Sequence, residues 1–86
     1  MNAIRRKTLK DIIKQLEELE SLKQSIMENL QEVIDEEQEA YDNMPESLQG
    51  SERGEQMEEY ISTMEGVISD LENLDAEDLA SQLEDM

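Results

Sequence analysis

The sequence predicts an all-α protein, an antiparallel helical hairpin with a short C-terminal helix. Two long segments, residues 3–42 and 51–86, carry apolar residues at helical spacing. Between them, residues 43–50 contain the only proline of the chain and one of its three glycines. Because the two segments are nearly equal in length, the second can run back along almost all of the first. Eighty-six residues make one small domain.

The first helix is expected over residues 3–42, which contain neither glycine nor proline. A heptad written from Leu9 has apolar residues at eight of its ten a and d positions. We therefore expect the a and d positions to form the core, with the apolar e positions only half covered. The a positions are Leu9, Leu16, Lys23, Leu30 and Glu37, the d positions Ile12, Leu19, Ile26, Val33 and Ala40, and the apolar e positions Ile13, Met27, Ile34 and Tyr41.

The corner is expected over residues 43–50. Proline disfavours helical geometry at the residue before it, Met44, and Pro45 suits the first position of a short helical turn, PESL. Gly50 is free to take a positive φ and release the chain. Ser51 is then a candidate N-cap for the returning helix.

The second helix is expected over residues 51–74. It repeats the heptad, with Met57, Met64 and Leu71 at a, Tyr60, Val67 and Leu74 at d, and Ile61 and Ile68 at e. The apolar phase changes at residues 75–86, where Asp75 and Asp78 resemble a capping pair. The sequence leaves open whether this last segment is a kinked continuation or a separate C-terminal helix.

The charge is strongly acidic and unevenly distributed. Twenty-four acidic residues stand against seven basic ones, a formal net charge of −17. Residues 1–14 carry a net +4, whereas residues 15–86 carry −21. A hairpin brings the acidic end beside the basic start, so we expect ion pairs between them. The overall field repels nucleic acid and anionic lipid and attracts basic protein surfaces, so neither nucleic acid nor a membrane is an expected partner.

Several classes of protein are disfavoured by composition. The chain has no cysteine and no histidine, which excludes disulfides and the usual zinc sites, and it has no glycine-rich phosphate loop. We therefore expect no enzyme activity, no metal and no cofactor. The start, MNAIRRKTLKDII, lacks the apolar run of a signal peptide, and no segment approaches the length of a membrane span. A cytoplasmic location is the expectation.

The acidic faces on either side of the corner are the candidate binding surface. Their dense carboxylates could imitate the charge spacing of duplex DNA and occupy a basic site on another protein. Alternatively, they are solvated helix faces with no partner, which is the usual meaning of a run of charge. The candidate partner-binding residues are Asp35, Glu36, Glu39, Asp42, Glu55, Glu58 and Glu59.

A two-helix hairpin covers only one face of each helix. The apolar e positions, from Ile13 to Ile68, would remain half exposed. We therefore expect a homodimer in which two hairpins form a four-helix bundle.

The corner string DEEQEAYDNMPESLQGSERGEQMEE resembles small acidic helical proteins encoded by phages, prophages and other mobile elements of Firmicutes. The resemblance covers residues 30–75, and DNMPESLQ is its most specific part. It implies a compact helical hairpin of phage-type origin in a bacterial host cell, without functional residues to carry over. By analogy, the expected function is to bind a basic surface of a host nucleic-acid-handling or defence protein, as a DNA-mimic inhibitor. The alternative is a structural coiled-coil oligomerisation module with no inhibitory role.

Overall fold

A computed structural model describes residues 1–86 as four helices without strands. These are α1 (Ala3–Asp42), α2 (Glu46–Gln49), α3 (Glu52–Glu72) and α4 (Ala76–Glu84). The chain forms a rod of 68 × 15 × 15 Å, in which α3 and α4 return along α1. The prediction of an all-α helical hairpin is confirmed. The last segment is a separate helix, because residues 73–75 break the returning arm. No helix has both the length and the apolar character needed to cross a bilayer.

Side-chain caps fix the start of each long helix. At the start of α1, the Asn2 side chain accepts a hydrogen bond from the backbone N–H of Arg5. In the same way, Ser51 accepts from the N–H of Gly54 at the start of α3, and Asp75 from that of Asp78 at the start of α4. Acidic residues follow in the first turns of α3 and α4, where the helix dipole favours negative charge. The caps predicted at Ser51 and Asp75 are therefore present.

The core uses a different phase of the heptad from the one expected. The a and e positions, rather than a and d, face the opposite arm. Ile34 and Ile61, both at e, are only 4% and 7% exposed, whereas Val33 and Tyr60, both at d, are 48% and 51% exposed. The expectation that the d positions belong to the core was therefore wrong, whereas of the six apolar e positions four are half-covered, as predicted, and Ile34 and Ile61 are buried. The covered or half-covered positions of α1 are Leu9, Ile13, Leu16, Glu20, Lys23, Met27, Leu30, Ile34, Glu37 and Tyr41.

The phase of α3 follows from a close contact in the corner. Gly54 is buried, lies at an e position, and packs against the backbone of Gln49. A Cβ at Gly54 would lie 2.6 Å from the carbonyl carbon of Gln49 and 2.8 Å from its Cα. Only glycine permits this approach, which turns the flank carrying Gly54, Met57 and Ile61 towards α1.

The corner itself closes without left-handed backbone. Gly50 has φ −81°, and no residue of the chain has a positive φ, so the expectation for Gly50 was wrong. The Gln49 side chain, rather than a positive φ at Gly50, closes the corner. Its amide donates to the carbonyl of Met44, at 3.2 Å, and to that of Tyr41, at 3.0 Å, which also accepts from the backbone N–H of Met44. Pro45 is the N-cap of α2, so this short helix begins at Glu46, one residue later than predicted.

A buried lysine fixes the register halfway along the rod. The Lys23 Nζ donates to the carbonyl of Leu74 at 2.9 Å, where α3 has just ended, and lies 3.2 Å from the Glu20 carboxylate. A cation is favourable at the carboxyl end of a helix, where carbonyls lack intrahelical donors. The apparent interruption of the apolar stripe at Lys23 is therefore a cap supplied across the hairpin.

The basic start and the acidic tail lie side by side but form no ion pair. Arg6 and Lys10 border the same groove as Leu83 and Glu84. The only ion pair within 4 Å is that of Lys23 with Glu20. The expected salt bridges between the two segments are therefore absent, and solvated side chains explain this, since exposed pairs gain only about 0–1 kcal/mol.

Candidate functional site: the acidic corner

The Lys23–Leu74 contact divides the rod into two halves with very different charge. The corner half, residues 24–73, contains 15 acidic residues and a single basic one, Arg53, for a net −14. The open half, residues 1–23 and 74–86, contains nine acidic and six basic residues, for a net −3. The negative field is therefore concentrated at the end where the chain turns.

The charge density of the corner half approaches that of a nucleic-acid duplex. Half of the 68 Å rod is about 34 Å, so the net −14 corresponds to about one charge per 2.4 Å. Duplex DNA carries one per about 1.7 Å of its axis, and the open half of this rod carries about one per 11 Å. Only the corner half resembles DNA in this respect.

The seven predicted residues are all exposed and all belong to the corner half. At 100° per residue, the four on α1, from Asp35 to Asp42, lie on the side of that helix opposite its core stripe. Glu55 and Glu59 lie opposite the core stripe of α3, and Glu58 lies beside that stripe. The fold therefore gathers these residues at one end of the rod but distributes them over its two outer sides.

Local hydrogen bonds hold three of these carboxylates. Glu58 accepts from the Tyr41 hydroxyl across the hairpin, Asp35 accepts from Gln31 at 3.0 Å, and Asp42 accepts from Gln38 at 3.0 Å. Glu36, Glu39, Glu55 and Glu59 have neither a side-chain hydrogen bond nor an ion pair. No cation lies within 4 Å of any of the seven, so their charge is open to a partner.

The Tyr41–Glu58 contact perturbs the titration of the phenol. The hydrogen bond to Glu58 raises the pKa of Tyr41 above its ordinary value of 10.0, assisted by partial burial and by the charges of Glu58 and Asp42. Because the folded state holds this proton more tightly, the stabilisation is fully present below about pH 10 and is lost as pH rises through the raised pKa.

We expect the phenol of Tyr41 to ionise above pH 10 in a Tyr60→Phe background, where it is the only tyrosine. Adding Glu58→Gln should lower this pKa, because the charged acceptor is lost. Absorbance of the phenolate during an alkaline titration measures both values. Glu59→Gln is the matched control, with the same change of charge one residue away. Equal pKa values in the two variants would contradict the contact.

The corner half also contains a shallow groove between the arms. No three acidic side chains converge closely enough to hold a metal ion. The groove, of about 490 Å³, is lined by Val33, Glu37, Glu59, Tyr60, Thr63 and Met64. It combines an apolar floor with two carboxylates. Such a surface can bind a basic and partly apolar partner.

Two positioning devices of this site were not predicted from the sequence. Gln49 ties down the end of α1, but a glutamine in a turn has no pattern that would identify it. The pair of Lys23 and Glu20 was detectable in principle, because Lys23 occupies an a position in an otherwise apolar stretch. Glu20 is also the carboxylate whose pKa is lowered, first by the hydrogen bond from Gln24 and further by Lys23.

Comparison of the chain with protein-family models, with curated proteins and with solved structures finds no match.

Proposed function

We propose that this chain is a phage- or prophage-type interaction protein whose acidic corner binds a basic surface of a host nucleic-acid-handling or defence protein. The observation that supports this most strongly is the uncompensated net charge of −14 in the corner half, against −3 in the open half. A charge needed only for solubility has no reason to accumulate at one end. The proposed setting is the cytoplasm of a bacterial host.

The proposed mechanism is steric and electrostatic block. Carboxylates on both outer sides of a narrow rod can occupy a cleft that otherwise accepts a DNA duplex, and long-range attraction speeds the encounter. Because these charges are exposed, salt should weaken the complex steeply. No chemical step is required of the chain.

The test compares two variants of equal net charge, −11, in recovery of proteins from host lysate. The corner variant neutralises six acids with isosteric amides, at Asp35, Glu36, Glu39, Asp42, Glu55 and Glu59. The control does the same in the open half, at Glu17, Glu18, Glu77, Asp78, Glu84 and Asp85. Glu58 is left intact because Tyr41 donates to it.

We expect the unmodified protein to recover a basic, DNA-binding protein at low salt and to lose it at high salt. Duplex DNA should displace that partner. The corner variant should reduce recovery at least about tenfold, since six charges contribute to steering and complementarity, whereas the control should retain it. Equal losses in both variants, or recovery that does not respond to salt, would refute the proposal.

A structural oligomerisation module is the second candidate, and one observation favours it. Large apolar residues are exposed along both arms, among them Ile26 at 42%, Val33 at 48% and Val67 at 44%. Exposed apolar surface of this extent is typical of protein interfaces. If the chain recovers only itself from lysate at every salt concentration, this function stands alone.

A further inference from the structure

The hairpin has one apolar side and one charged side. The core stripe at a and e is flanked on one side by d and g positions and on the other by b and f positions. Of 16 d and g positions, only Glu36 and Asp70 are charged, whereas ten of 16 b and f positions are. We call the d and g surface the apolar side. Its residues are Thr8, Ile12, Gln15, Leu19, Leu22, Ile26, Asn29, Val33, Glu36 and Ala40 of α1, with Gln56, Tyr60, Thr63, Val67, Asp70 and Leu74 of the returning arm.

Both arms contribute to the same side of the rod. In an antiparallel pair, equivalent flanks of the two core stripes point the same way, so the d positions of α1 and α3 adjoin. The groove between the arms shows this directly, because Val33 of α1 and Tyr60 of α3 line it together. Seven large d-position residues thus interleave along one surface, each between 37% and 51% exposed: Ile12, Leu19, Ile26, Val33, Tyr60, Val67 and Leu74.

We propose that a second copy of this chain covers the apolar side, with the two hairpins antiparallel in a four-helix bundle. The surface runs for about 32 Å from Ile12 to Val33, and with side chains added to the 15 Å backbone cross-section it is about 20 Å wide, the width of two helices. Two such footprints bury about 1,300 Å² together, which is within the range of specific interfaces. Two apolar sides of this kind are mutually complementary under two-fold symmetry.

The charge distribution selects the antiparallel orientation. The apolar side is centred near the middle of the rod. Two copies can therefore face each other through this side with their rods either parallel or antiparallel. A parallel dimer would place the two corner halves, each −14, beside each other. An antiparallel dimer places each corner half beside the partner's open half, where residues 1–14 carry +4. Repulsion is minimal in this arrangement, and the acidic corners point away at opposite ends.

This inference does not require a partner at the acidic corner, although Glu36 belongs to both surfaces, and salt separates the two. Partner binding through the acidic corner weakens as salt rises. Self-association through an apolar surface between two chains of −17 strengthens, because screening reduces repulsion while apolar burial remains. Failure of one prediction therefore leaves the other intact.

Sedimentation equilibrium of the full chain tests whether the apolar side is the interface. We expect a dimer at micromolar concentration that becomes tighter as salt is added.

Ile26→Glu combined with Val67→Glu should raise the dissociation constant at least about a hundredfold, because each buried interface would contain four unpaired carboxylates. Ser21→Glu combined with Ser62→Glu adds the same charge at exposed positions on the other flank and should leave the dimer intact. A monomeric parent protein, or equal weakening in both double variants, would overturn the proposal. Circular dichroism verifies that each variant remains helical.

Pulsed dipolar spectroscopy tests the orientation. The chain has no cysteine, so Ser47→Cys carries a single spin label at the exposed corner. An antiparallel dimer places the two labels at opposite ends, at a separation close to the 68 Å length of the rod. A parallel dimer would place them within about 30 Å, side by side across the bundle. A short distance would overturn the antiparallel arrangement.

Discussion

Replacing Gly54 by alanine should destabilise the protein by about 2–3 kcal/mol. In an ordinary helix interior the same change stabilises by about 1 kcal/mol, because alanine is the better helix former. Here the added Cβ meets the backbone of Gln49, with the carbonyl carbon 2.6 Å away and the carbonyl oxygen closer still. Backbone cannot rotate away as a flexible side chain can. Urea unfolding followed by circular dichroism should show the loss, and the melting temperature should fall by about 10–20 °C.

The other two glycines provide matched controls. A Cβ at Gly66 or at Gly50 meets nothing within 4 Å. Gly66→Ala lies in the interior of α3 and should stabilise by about 0.5–1 kcal/mol. Gly50→Ala should be nearly neutral or slightly stabilising, because φ there is −81° and suits alanine. If all three substitutions had the same sign, the corner packing described here would be wrong.

Replacing Lys23 by methionine should cost about 1–3 kcal/mol. The change keeps the aliphatic volume but removes the ammonium that caps the Leu74 carbonyl and neutralises Glu20. The Lys23 side chain is only 8% exposed, so water replaces it poorly. One oxygen of Glu20 is already buried without a hydrogen-bond partner, which makes the loss of its cation costly. The free energy of unfolding in urea measures the effect.

Two comparisons separate capping from general loss of charge. Lys14→Met makes the same change at an exposed position of α1 and should alter stability by less than about 0.5 kcal/mol. Glu20→Met added to Lys23→Met should recover part of the loss, because replacing both members of a buried pair is often neutral or stabilising. An equal cost at Lys14 and Lys23 would show that Lys23 acts only through net charge.

The hairpin was predictable because its determinants are local. Forty residues without glycine or proline specify α1, the proline marks the corner, and Ser51 and Asp75 have the capping chemistry that starts α3 and α4. Which positions accompany a in the core, d or e, was not predictable, since both sets are largely apolar and both satisfy the helical period. In α3 the observed choice accompanies the close approach of Gly54 to the backbone of Gln49, which no periodicity reports.

The candidate site was predictable in composition but not in geometry. The acidic residues around the corner are obvious in the sequence, and all seven lie at one end of the rod. Their distribution over two outer sides follows from the core phase, so the sequence alone could not give it. The separation into halves of −14 and −3 likewise requires the register set by Lys23 and Leu74. The apolar side became visible only when the d positions proved to be exposed.

We propose that the corner half is the binding end of this molecule. NMR of the ¹⁵N-labelled protein titrated with an oligo-arginine peptide tests this proposal most directly. We predict that amide shift changes concentrate in residues 35–59, disappear as salt rises, and are lost in the corner variant but not in its open-half control. Shift changes spread evenly along the rod, or concentrated in residues 1–23 and 74–86, would contradict the claim.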